Sequence, residues 1–250
     1  METSWHSYPS IYALGHRALG ELFLDPVVVE EKVDGANAAI SFAPDGALLL
    51  QSRGHYLTGG GRERHFDLFK TWAQARRDAL HAALADRYVL YGEWVYAKHT
   101  VYYDRLPHYF LEFDVLDTRD NRFLSTPRRR ALLDGLPIAQ VPVLHEGAVR
   151  SMKQLLAMIG PSNYKGPDWR NRLDESGRAL GLDVDRIRRE TDPSDQMEGL
   201  YIKVEEDGSV LARYKYVRAG FLQVVFSSES HWLARPIVPN RLRDGVDLFA

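Results

Sequence analysis

The sequence predicts an α+β domain of largely antiparallel sheets flanked by helices. Three observations carry this. Apolar strand-like runs are separated by tight-turn signals, Asp34-Gly35, Pro44-Asp45-Gly46 and Asp207-Gly208. A single stretch, Phe66 to Asp86, has the spacing of a long amphipathic helix. The order is strands, this helix, strands, short helices and strands again, which is not the βαβ alternation of a doubly wound parallel sheet.

Composition narrows the class without naming a function. The 250 residues are long enough to bury a good core, and 26% charged with 45% hydrophobic residues is the balance of an ordinary globular protein. A net charge of −2 means that any nucleic-acid partner must be met by a local patch. There is no cysteine, which excludes a disulfide scaffold, a thiolate zinc site and a cysteine nucleophile, and fits a reducing cytoplasm. No apolar run approaches a membrane span and the N-terminus lacks the pattern of a secretory signal, so a cytoplasmic location without membrane contact is expected.

Residues 1–26 carry scattered aromatics, Trp5, Tyr8 and Tyr12, with little periodicity, and are assigned a covering role. The run V-V-V-E-E-K-V-D-G-A-N, from Val27, reads as a core strand over 27–33 that turns through Asp34-Gly35 into Ala38 to Phe42 and, after a second turn, Ala47 to Ser52, forming an antiparallel meander. Lys32 stands near the end of the first strand. Taken alone, that stretch fits either a solvated lysine in an Asp-Gly hairpin or an ammonium placed for its chemistry. Residues 54–64 are glycine-rich but lack the Gly-Lys-Ser/Thr ending of a P-loop, so a surface loop is expected. In the long helix Phe66, Phe69, Ala73, Leu80 and Leu84 share one face.

Strands follow at Tyr88 to Gly92, Trp94 to Tyr102 and His108 to Leu116. Thr126 with Pro127 opens a short helix as N-cap and N1 proline should, and Ser151 with Gln154 makes a capping box whose helix ends at Gly160-Pro161. Residues 161–195 are arginine-rich, with one helix between loops. Gly199 to Val204 and Val210 to Val217 pair across Asp207-Gly208, Phe221 to Phe226 reads as an apolar strand, and Pro236 and Pro239 mark an irregular tail.

Polar residues recur on these strands in a fixed order: K-x-D-G at Lys32, S-R at Arg53, Y-G-E at Glu93, F-D at Phe113, E-G-x-x-x-K from Glu198, and Arg213 two residues before Lys215. Each alone has a bland reading as a solvated turn, a core aromatic or the wet side of a hairpin. Together, the six elements resemble the motif series of the covalent nucleotidyltransferases, the ATP-dependent polynucleotide ligases and mRNA capping enzymes. Within that superfamily the context E-K-V-D-G-A-N is most similar to RNA ligases of the RNA ligase 2 type, over about residues 25–220.

The resemblance implies a nucleotidyltransferase (adenylyltransferase) fold with ATP in a cleft between its sheets. It implies attack of the Lys32 amine on the α-phosphorus of ATP, giving lysyl-AMP, with later transfer of AMP to a 5′-phosphate RNA end and sealing to a 3′-hydroxyl. A free lysine, with a pKa of about 10.4, is protonated at neutral pH and must be shifted down, which Lys215, Arg213, Arg53, a divalent metal and desolvation are expected to do. By similarity Glu93 binds the ribose hydroxyls, Phe113 stacks on adenine, Glu198 holds hydrated Mg²⁺ or Mn²⁺, Arg53 and Asn37 contact ribose or phosphates, the Glu31 main chain meets the adenine edge, and Asp34 shapes the hairpin and orients its neighbours.

Arg213 departs from the lysine common at that motif position, keeping the charge on a planar fork. Few residues follow Arg218, so a single nucleotidyltransferase domain over residues 1–250 is expected, without an OB domain or a full-length C-terminal ligase domain, a partner protein being one source of the latter. The expected polynucleotide is an RNA end or a nicked RNA-containing duplex. Two arginine groups are candidates to meet it: Arg119, Arg122 and Arg128 to Arg130, and Arg170, Arg172, Arg178, Arg186, Arg188 and Arg189, the second also readable as helix faces balanced by nearby carboxylates. A compact DNA ligase, a guanylyltransferase and a nucleotide-binding module without turnover are the alternatives.

Overall fold

The computed structural model describes residues 6–13, 25–228 and 235–249, and Trp5, expected in a covering role, lies outside them. The strands are β1 (Tyr12–Ala13), β2 (Pro26–Lys32), β3 (Ala36–Phe42), β4 (Leu48–Ser52), β5 (Tyr88–Trp94), β6 (Phe110–Asp117), β7 (Arg122–Phe123), β8 (Ala139–Gln140), β9 (Val143–Ala148), β10 (Gly199–Glu206) and β11 (Ser209–Val217). The helices are α1 (Asp67–Ala75), α2 (Arg77–Leu84), α3 (Thr126–Leu132), α4 (Met152–Leu156), α5 (Trp169–Ala179), α6 (Val184–Arg189) and α7 (Ala219–Ser227), with a 3₁₀ turn over Gly61–Phe66.

Two sheets form, one in the order β1-β11-β10-β2-β9 and one in the order β4-β3-β5-β6-β7 with β8 on β6. All pairings are antiparallel except β1 with β11 and β6 with β8. A core shared by both sheets includes Tyr91, Leu111, Phe113 and Tyr201, and a second holds Phe69, Trp72, Leu80 and Leu84 against the other face of the β3–β5–β6 sheet. The α+β expectation holds.

Several local expectations do not. Asp34-Gly35 makes no hairpin, because β2 and β3 lie in different sheets and the chain crosses between them there. The crossing is fixed by side chains: Asp34 Oδ2 accepts from Thr100 N and Val101 N, both at 2.7 Å, and Asp34 N donates to Tyr103 Oη at 2.8 Å. For the same reason Trp94 to Tyr102 is no strand. Beyond Trp94, Val95 N still donates to Tyr109 O, but Lys98 N goes to Val238 O and Thr100 N and Val101 N go to Asp34, so buried alternation there serves a loop.

The long helix is two, broken at Arg76 with φ −104° and ψ 8°, yet its expected apolar residues are all buried. Phe221 to Phe226 is helical: Arg218 N donates to Glu198 O at the end of the β10 ladder, and among the described residues no strand pairs with the segment beyond it. The 161–195 region holds two helices, the 54–64 loop tightens into the 3₁₀ turn at Gly61, and α4 ends at Leu156, before Gly160. Ser125, not Thr126, occupies the cap of α3, and the Thr126 hydroxyl donates to Glu205 Oε1. The hairpin at Asp207 (φ 48°) and Gly208 (φ 77°) and the capping of α4 by Ser151 Oγ from Gln154 N are as expected.

Candidate active site

The two sheets part at one end into a cleft of about 710 Å³, with Lys32, Asn37, Arg53, Glu93, Phe113, Glu198 and Lys215 in its lining. Strand register explains this convergence. Lys32 ends β2 opposite Gly199 of β10, which sets Glu198 beside it, and Lys32 Nζ lies 2.7 Å from Glu198 Oε1. Position 199 must be glycine, since a Cβ there would fall 1.8 Å from Tyr216 O. Lys215 pairs with Tyr201 two residues farther along β10 and so faces the same way as Lys32.

On the second sheet Asn37 pairs directly with Glu93, and the register between β5 and β6 slips by one residue at Phe113. That bulge gives Phe113 no direct partner and turns its ring into the cleft. Gly92 is required because a Cβ would meet the Phe110 ring at 2.5 Å. Gly35 is pressed as closely, its missing Cβ 2.8 Å from Trp94 O, and its amide donates to Glu93 Oε1 at 3.1 Å.

A family model for RNA ligases matches residues 25–217. The chain belongs to the RNA ligase family. Two variants of the Naegleria gruberi RNA ligase solved with ATP and Mn superpose with TM-scores of 0.56 and 0.57 at 18% and 20% identity, covering 89% and 87% of this chain and 59% and 57% of theirs. A third, an apo variant, gives a TM-score of 0.57 at 18% identity over 90% of this chain and 58% of that one. The likeness identifies the fold as that of nucleotidyltransferases, and this chain spans under three fifths of the length of those structures. No curated protein matches in sequence.

Electrostatics in this RNA ligase-family cleft differ from expectation at the lysine. Burial alone would lower the Lys32 pKa, but the carboxylates of Glu198, Glu93 and Asp34 outweigh it and leave the ammonium held above its ordinary range. Arg213 does not help, and Lys215 and Arg53 are outmatched. Burial pushes Glu198 up to about 7 and Glu93 to about 8. Lys215 is shifted down, by burial first and then by the Lys32 and Arg53 cations.

Arg213 shares a strand face with Lys215 but lies deeper than the cleft lining. Its guanidinium sits 3.8 Å above the Phe123 ring and 3.4 Å from Asp114 Oδ2. It belongs to a buried ionic layer between the sheets: Arg129 Nη2 to Glu30 at 2.7 Å, Arg129 Nη1 to Glu112 at 2.9 Å, and Lys203 Nζ to Glu30 at 2.9 Å and to Asp114 at 3.1 Å. Glu31 also lines the cleft. Its N–H donates to Pro142 O, and its carboxylate accepts from Ser162 Oγ and from both nitrogens of Asn163.

Sequence reasoning missed Tyr8 and Ile11 from the N-terminal segment, and Phe221, Leu222 and Val225 from α7, all of which line the cleft. The N-terminal aromatics carry no periodic signal, and the α7 residues were assigned to a strand. Of the arginine groups, the second is largely neutralised: Arg170 pairs with Asp195, Arg172 with Asp104, Arg178 and Arg188 with Asp174, and Arg186 with Glu190. In the first, Arg129 is buried and Arg130 pairs with Glu146, while Arg119, Arg122 and Arg128 are exposed.

Proposed function

We propose that this chain is an ATP-dependent RNA ligase that carries AMP on Lys32. The observation that supports this most is the pairing of Lys32 with Glu198 inside one cleft that also holds Glu93, Asn37, Phe113, Arg53 and Lys215. In the first step the neutral Lys32 amine forms a bond to the α-phosphorus while the bond from that phosphorus to the bridging oxygen breaks, and pyrophosphate leaves with the electron pair. The proton shed by the nitrogen has Glu198 Oε1 as an acceptor in hydrogen-bond contact. Phe113 offers a face for adenine, Asn37 and Glu93 offer polar groups for the ribose, and Arg53 and Lys215 offset phosphate charge.

Glu198 Oε2 is buried without a hydrogen-bond partner, which fits a divalent cation. A Mg²⁺ or Mn²⁺ ion there would neutralise phosphate charge and loosen the carboxylate's hold on the amine. No group of three or more His, Asp or Glu that could hold a metal exists among the described residues. AMP then passes to the 5′-phosphate of an RNA end or nick, and the 3′-hydroxyl displaces it. No helix among the described residues is long and apolar enough to cross a membrane.

The test is incubation with α-labelled ATP and magnesium, followed by denaturing electrophoresis, for the parent and for Lys32→Ala. A labelled band in the parent and none in the variant is expected. An unlabelled parent, in a preparation free of bound AMP, would overturn the reading.

A further inference from the structure

The slip in register between β5 and β6 leaves Phe113 without a ladder partner, so its ring must be oriented by something else. Its main-chain oxygen accepts from Lys203 Nζ, and the plane of the ring is set by two tyrosines. The Tyr8 ring lies 5.2 Å from it at 81° and the Tyr201 ring 6.0 Å from it at 82°, so both meet it nearly at right angles and neither stacks on it. All three rings line the cleft.

The tyrosines are fixed in turn through their hydroxyls. Tyr8 Oη donates to Asp114 Oδ2 at 2.5 Å, Tyr201 Oη donates to the same oxygen at 2.6 Å, and the two hydroxyls are 2.6 Å apart. Asp114 directly follows Phe113 in the chain, so the anchor and the ring it serves move together. Arg213 backs the group, 3.4 Å from Asp114 Oδ2 and 5.1 Å from the centre of the Tyr8 ring.

Tyr201 belongs to β10, but Tyr8 comes from outside residues 25–217, which carry the family likeness. Its segment bridges the two sheets. His6 O accepts from Gln51 Nε2 of β4 at 2.8 Å and from Tyr91 Oη of β5 at 2.7 Å, while Tyr12 and Ala13 pair in parallel with Tyr214 and Lys215 of β11. Between these two attachments Tyr8 is buried where β6 and β10 face each other, and Ile11 of the same segment also lines the cleft.

We propose that Tyr8 is a positioning residue for nucleotide binding: the N-terminal segment carries it between the sheets so that, with Tyr201 and Asp114, it holds the Phe113 ring in the orientation that receives the base. The ligand is the purine of a nucleoside triphosphate, and for that ligand the inference rests on the reading of the cleft above, though not on transfer of AMP to Lys32. Its contribution is confined to the base, because the cations of the cleft, Arg53 and Lys215, are left to meet the phosphates.

The experiment is a double-variant cycle of Tyr8→Leu and Phe113→Leu, read by calorimetric binding of the α,β-methylene analogue of ATP, which cannot transfer AMP, and of inorganic tripolyphosphate, together with rates of adduct formation from ATP. Tyr8→Leu is expected to weaken analogue binding about fivefold, to raise the KM for ATP by a similar factor at unchanged kcat, and to leave tripolyphosphate binding as in the parent. With Phe113→Leu already present the same change is expected to add nothing, since the ring it orients is gone. Tyr8→Phe, which keeps the ring and loses only the tie to Asp114, is expected to lose about twofold in the same cycle, and it decides the matter if Tyr8→Leu does not fold. Parent-like analogue binding, an equal loss for tripolyphosphate, or losses that add in the double variant overturn the proposal. A parent that binds the analogue through Tyr8 and Phe113 yet forms no adduct overturns the transfer reading and leaves this one standing, and a parent that does not bind the analogue overturns both.

Discussion

Lys32 Nζ and Glu198 Oε1 stand 2.7 Å apart, with the lysine side chain 28% exposed and the glutamate 6% exposed. The pair keeps the amine protonated and therefore silent as a nucleophile in the ligand-free cleft. Removing the negative charge should wake it. In Glu198→Gln the Lys32 pKa falls, and modification of Lys32 by an amine-directed reagent at pH 8, read by peptide mass spectrometry, is expected to be several-fold faster than in the parent. Equal or slower modification would show that Glu198 does not hold the proton on Lys32.

Glu93 makes stability depend on pH. Its folded pKa, about 8, lies above the value of about 4.3 expected in the unfolded chain. A carboxyl raised in this way favours folding most at low pH, and the advantage drains as pH rises toward 8. Glu93→Gln removes the penalty. Urea unfolding is expected to show the variant gaining on the parent by on the order of 2 kcal/mol between pH 5 and pH 8. A constant difference across that range would contradict the shift.

Arg129 is fully buried between Glu30 and Glu112. Arg129→Met leaves those carboxylates facing each other with only Lys203 near, and is expected to cost about 3–5 kcal/mol in denaturant unfolding. Adding Glu112→Gln should recover part of the loss, because Arg129 is the cation bound to Glu112. A double variant no more stable than the single one would show that the loss is one of volume rather than charge.

Gly35→Ala tests the crossing between the sheets. The new Cβ would lie 2.8 Å from both Trp94 O and Val95 Cγ1, and one of those contacts is backbone. The chain must shift at the joint between Lys32 and Glu93. Overpacking of this kind costs about 1–3 kcal/mol. Adduct formation on Lys32 is expected to fall at least tenfold in a protein that still unfolds cooperatively.

What could be read from the sequence depended on whether a residue's partners were local. The apolar run of β2, the hairpin turn at Asp207-Gly208 and the buried face of α1 and α2 are set by neighbours in the chain, and they were legible. So was the meeting of Lys32, Glu93, Phe113, Glu198 and Lys215 in one cleft, which their ordered spacing along the strands suggested. Asp34-Gly35 has the chemistry of a hairpin turn, but nothing local says which sheet the next strand will join. The short apolar run of α7, broken only by Gln223, has no period to separate strand from helix, and whether it meets a pairing edge is a tertiary fact. Arg213 was placed on the correct face, yet strand alternation gives direction and not depth.

The two residues between Lys32 and Gly35 carry the chain from one sheet to the other, and Asp34 is held there by Tyr103, Thr100 and Val101. The interval from Lys32 to Gly35 is therefore a measured length. Its lysine is tethered to the β10 side and its glycine to the β5 side, so the interval sets how far the amine stands from Glu93 across the opening. One residue inserted after Lys32 would keep the lysine, the aspartate and the glycine and put the ruler out of true.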